Sequence, residues 1–186
     1  MSRRGTISFE WAGERRLFRL PISSLIELQE ATDSGPYLLF SRLDGGTWRV
    51  SDISHVILFG LIGGGVSPPL ASALVSRHVE RRSPLENLIS AQVILSAGIV
   101  GALDEPTTEK RRKPSKSPPA DLPNGKIRFS SFYGLGAVMG FSPEAVGDLS
   151  LWQFAAAVEG YVDANSQDDG ALSTQEIDEL WAWVQE

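Results

Sequence analysis

Residues 104–126 hold five of the chain's eleven prolines, the run Lys110-Arg111-Arg112-Lys113 and almost no large apolar residue. Such a stretch cannot bury enough surface to offset the entropy of ordering it, so it reads as a flexible, partly extended linker. Whatever folds must therefore do so from a body, residues 1–103, and a C-terminal module, residues 127–186. The charges divide in the same way. The body carries 10 basic and 9 acidic side chains, the linker 6 and 4, and the module 1 and 10. An asymmetry of this size speaks of partners rather than of fold. Four adjacent cations without interleaved aromatics fit a solvated run better than a nucleic-acid contact, so nucleic acid is not an expected partner.

In the body, Ile7-Ser8-Phe9-Glu10-Trp11 alternates apolar and polar residues, Ala12-Gly13-Glu14 turns, and Arg16–Leu20 returns. This predicts a β-hairpin with one buried face. Ile22, Leu25, Ile26 and Leu28 then follow at helical spacing as far as Asp33-Ser34-Gly35-Pro36. Tyr37–Leu43 fits strand or helix, and Thr47–Val50 reads as a third strand. Ser51 or Asp52 can cap a helix carrying Ile53, Val56, Ile57 and Leu61, which Gly63-Gly64-Gly65 ends. A helix follows from Ser67-Pro68-Pro69 to about Arg82. Ser83-Pro84-Leu85-Glu86 reads as a capping box opening a last helix with Leu85, Leu88, Ile89 and Val93 along one side.

The module reads as all-helical. Ile127–Gly140 carries Phe129, Phe132, Tyr133 and Leu135, and Ser142-Pro143-Glu144 opens a short helix. Ser150–Gln153 and Ser173–Glu176 are two further capping boxes. The fold class expected is thus α+β: an N-terminal β-hairpin or small antiparallel sheet with a helical body, then a linker and a small all-α module.

The inventory argues against chemistry. With no cysteine, thiol catalysis, disulfides and cysteine-ligated metals are excluded. His55 and His78 sit on separate helices without a carboxylate or serine in triad-like arrangement, so no enzyme and no catalytic residue is expected. Gly60–Gly65 lacks the Lys-Ser/Thr of a phosphate loop and follows a helix, which leaves Gly63, Gly64 and Gly65 as a helix end and hinge. Asn165, Gln167, Asp169, Ser173 and Glu176 fall on the ligand positions of a calcium loop, but the first and third supply no charge. A turn at Asp168-Asp169-Gly170 and a cap at Ser173/Glu176 satisfy those residues without an ion, so no metal or cofactor is expected. No apolar run approaches the ~20 residues of a membrane span, and the start lacks an apolar leader, so a cytoplasmic protein without membrane contact is expected.

The order of features in residues 5–103 resembles the tail assembly chaperone family of tailed phages and prophages, in the branch found in gene transfer agents. The hairpin Ile7–Leu20, Leu25-Ile26-Glu27-Leu28-Gln29-Glu30, Asp52-Ile53 leading to Gly60–Gly65, the arm Ala71–Val79 and the last helix to Leu103 carry it. Tyr133-Gly134-Leu135, Gly140–Glu144 and Leu149–Phe154 resemble a second, short tail-assembly module, apparently joined to the first. Val146-Gly147 stands where a bulky aromatic pair belongs. The resemblance implies a non-enzymatic protein of the bacterial host cytoplasm, absent from the mature particle, that binds the tape-measure protein and recruits tail-tube subunits. Self-association is compatible with this role. Leu61, Trp152, Phe154 and Trp181 are the candidate partner-binding residues. The alternatives are a structural minor tail component retained in the particle, or a calcium-responsive adaptor.

Overall fold

The alternation at the start of the chain produces the hairpin it predicts. In the computed structural model, which describes residues 3–101 and 122–165, β1 (Thr6–Trp11) pairs antiparallel with β2 (Glu14–Arg19). Thr6 lies opposite Arg19, and Trp11 opposite Glu14. The connecting Ala12 and Gly13 have φ of 55° and 82°. Two positive φ values match the twist of the strands, although only glycine takes one without strain. On the inner face Phe9 and Phe18 stack at 4.7 Å between ring centroids, and Trp11 meets Phe18 edge-on at 6.0 Å.

Five helices complete the body: α1 (Ile22–Thr32), α2 (Pro36–Asp44), α3 (Val50–Gly63), α4 (Pro68–Val75) and α5 (Leu85–Val100). Helix α3 lies at the centre, packing against α1, α4, α5 and β2. Ile53, Val56, Ile57 and Leu61 are fully buried along it. Its C-terminal glycines let it close on the hairpin: a Cβ at Gly63 or Gly64 would collide with the carbonyl of Arg19 or Leu17. Gly65 follows at φ 98°.

One open assignment is settled and three local expectations are corrected. Tyr37–Leu43 is helical within α2, with Pro36 in the first turn where no amide donor is missed. Thr47–Val50 is not a strand. Asp52 accepts the Arg49 N–H at 2.9 Å, and this cap turns the chain into α3 at Val50. Ser83 makes no side-chain cap; Glu86 reaches back to Arg82 instead, at 3.8 Å. The helix expected to run to Arg82 is α4 continued by a π-helical turn, Ser76–Glu80.

Residues 122–165 return to the body's core. A turn at Pro123–Gly125 leads to α6 (Ser130–Val138), α7 (Pro143–Asp148) and α8 (Leu151–Asn165). The helix expected over Ile127–Gly140 starts only at Ser130, because Ile127 is held extended by Gln29 on α1. Ser142 accepts the Ala145 N–H, and Ser150 and Gln153 cap α8 reciprocally at 3.0 and 3.1 Å, as the sequence predicts. Ile127, Phe129, Phe132, Leu135, Val146, Leu151, Phe154 and Val158 join the cluster that contains Phe18, Leu20, Leu25 and Leu61. The Ile22 N–H donates to the Leu149 carbonyl at 2.9 Å, and the Ser150 hydroxyl to the Arg3 carbonyl at 2.7 Å. Lys126 pairs with Asp33, and the Arg19 guanidinium donates to the Asp148 carbonyl. The architecture is α+β: a two-stranded antiparallel sheet, a helical body and an all-α C-terminal part packed on it.

Candidate functional site

Helix α5 carries apolar residues on two sides and can bury only one of them. The core takes Ala91, Ile94, Leu95, Ala97 and Ile99. Leu85 and Ile89, one turn apart, remain 66% and 71% exposed, more than any other large apolar side chain among the described residues. The stripe expected along Leu85, Leu88, Ile89 and Val93 is therefore not the core face. The run Ala91–Ile99 simply offers more small and branched side chains to the close contact with α3 and the hairpin.

The N-terminal end of α5 is fixed by Asn87, which is buried. Its Oδ1 accepts from Trp11 Nε1 at 2.9 Å, and its Nδ2 donates to the His78 carbonyl at 2.9 Å. One amide thus ties β1, the π-helical turn and α5 together. The His78 ring lies edge-on to Trp11 at 5.8 Å. Burial, followed by the charges of Arg82, Arg77 and Arg16, holds the His78 imidazole below its ordinary pKa. Arg16 is drawn off by Glu14 at 2.8 Å and Arg82 by Glu86, whereas Arg77 and Arg81 are exposed and pair with no described residue. A π-helical turn often marks a functional position. Here Arg77 lies in the turn, and Arg81 and Arg82 follow it directly, ahead of the exposed Leu85 and Ile89 in sequence.

The residues singled out from the sequence fall elsewhere. Leu61 is fully buried and Phe154 is 3% exposed against Phe132, so neither presents a binding surface; both patterns mark the core. Trp152 is partly buried and packs on Gly101, where a Cβ would meet its ring. Gly63 and Gly64 give α3 its close approach to β2. Asn165 donates to the Tyr161 carbonyl at 2.7 Å. Gln167, Asp169, Ser173, Glu176, Trp181 and Lys110–Lys113 lie outside the described residues. Among the described residues no group of three His, Asp or Glu side chains could hold a metal, and no helix is long and apolar enough to cross a membrane. Sequence reasoning missed the Leu85/Ile89 pair as a surface, since its helical spacing is the same signal that a core stripe gives.

A protein-family model described as phage tail tube protein, GTA-gp10, matches residues 4–101, from the start of the hairpin through α5. No curated protein and no solved structure matches the chain. The matched segment is more than half of the 186 residues, so the chain belongs to this phage and gene transfer agent tail family.

Proposed function

We propose, from the chain's membership of the phage tail tube protein family, that it is a non-enzymatic structural component of a phage or gene transfer agent tail, retained in the assembled particle. The observation that carries this reading is the match over the whole body, whose family description names a tail tube protein. The resemblance read from the sequence implies instead an assembly chaperone absent from the mature particle. Mass spectrometry of purified particles separates the two. A component should appear in multiple copies per particle. Trace amounts in particles, with abundant protein in the producing cells, would overturn retention.

The chaperone reading keeps one specific support, the exposed Leu85/Ile89 pair, preceded in sequence by the exposed Arg77, Arg81 and Arg82. An apolar strip with charged margins is the form that a groove for an amphipathic helix takes, and tape-measure and tube proteins are the partners this reading requires. Affinity capture from assembling cells tests it. Recovery of a tape-measure protein with the parent chain, lost in Ile89→Asp, would favour the chaperone. Recovery of tube subunits alone would favour the structural role.

A further inference from the structure

We propose that Leu85 and Ile89, with Arg77 of the π-helical turn and Arg81 just after it, are the seat of residues 173–186 of this chain. This inference does not rest on the tail reading, and it gives to this chain's own segment the strip that the chaperone reading gives to a partner helix. Leu85 and Ile89 are the two most exposed large apolar side chains of the described chain, and the exposed Arg77 and Arg81, which lack a described partner, precede them by four to twelve residues, with Arg82 reaching Glu86 on α5. Glu80 and Glu86 also lie in this stretch, and Glu86 is engaged by Arg82. The charges of Arg82, Arg77 and Arg16 also act on the His78 ring, after the larger effect of its burial.

The sequence supplies a segment of complementary chemistry. Residues 173–186 carry Glu176, Asp178, Glu179 and Glu186 and no cation. Ile177, Leu180, Trp181 and Val184 recur at the spacing of one helical face. A stretch of this length is marginal as an isolated helix in water and needs an apolar surface to cover that face. The residues 166–172 that join it to α8 reach at most about 25 Å. Tethering raises its effective concentration to the millimolar range, which favours docking within one chain over capture by a second copy at micromolar protein.

The absence of cysteine makes the test direct. Ile89→Cys is combined with Trp181→Cys in the full chain, and a control combines Val138→Cys, on α6 and 52% exposed, with Trp181→Cys. In dilute protein under mild oxidation, the first pair should close to a monomeric disulfide roughly tenfold or more faster than the control. Adding Arg77→Glu and Arg81→Glu should slow closure several-fold. Equal rates for the two pairs would overturn the proposal. So would a disulfide that forms only between chains, which would assign the surface to a second copy.

Discussion

Gln29 and Ile127, 98 residues apart, exchange two hydrogen bonds: Gln29 Nε2 donates to the Ile127 carbonyl at 3.0 Å, and the Ile127 N–H donates to Gln29 Oε1 at 2.7 Å. The side-chain amide acts as a strand neighbour would, satisfying both main-chain groups of a buried residue. Gln29→Ala leaves both partly buried groups unpaired and should lower stability by about 1–3 kcal/mol in urea denaturation. Gln29→Glu keeps an acceptor for the N–H but loses the donor, so it should also fall below the parent.

Asp52 is 1% exposed and holds Arg42 at 2.5 Å, while Arg42 also donates to Ser34 Oγ at 2.6 Å. This network joins the α1–α2 connection, α2 and the start of α3. Removing one partner strands a buried charge, so Arg42→Met should cost about 3–5 kcal/mol. Pairing it with Asp52→Asn should recover part of the loss, because the neutral amide still accepts from Arg49 N–H. A double-mutant cycle that showed no coupling would contradict this account.

Two glycines should respond in opposite directions. Gly64→Ala drives a Cβ into the Leu17 carbonyl, which is main chain and cannot swing away, so a loss of about 2 kcal/mol or more is expected. Gly134, inside α6, faces open space: a Cβ added there would meet nothing within 4 Å. Gly134→Ala should therefore raise stability by about 0.5–1 kcal/mol through helix propensity. Thermal midpoints of the two variants check both.

His78 should make stability depend on pH below neutrality. Its folded pKa is depressed below 6.5 by burial and by Arg82, Arg77 and Arg16. Between that folded value and 6.5 the unfolded chain binds a proton that the folded chain does not, so stability falls as pH drops through this window and the effect is absent above it. His78→Gln should lose less stability than the parent chain between about pH 7.5 and 5.5, measured as the urea midpoint.

Elements with a local cause were legible in the sequence. The hairpin follows from alternation around Ala12-Gly13, and the caps at Ser142 and Ser150/Gln153 follow from residue type and spacing. The fold class rests on such signals. What stayed hidden depends on partners far along the chain. Nothing local tells that Gln29 will hold Ile127. The Asp52 cap is local and was legible, but the expectation of a third strand missed its consequence, a helix opening at Val50. Leu61 and Phe154 were legible as apolar but not as interior, and Leu85 and Ile89 as apolar but not as exposed, because one periodicity serves both outcomes. That the body is of a phage and gene transfer agent tail family was legible from the order of its elements, but the family model is described as a tail tube protein and not as the chaperone the resemblance implied. The role depends on surfaces that periodicity does not distinguish.

The core shared by residues 3–101 and 122–165 has a thermodynamic consequence. Phe132 and Phe154 pack in the same cluster as Phe18 and Leu25, so the two stretches lose their packing together. Heat should therefore take them apart in one cooperative step, with calorimetric and van't Hoff enthalpies in agreement. Cutting the connection between them would leave that core intact but turn its melting from a property of one chain into a concentration-dependent dissociation.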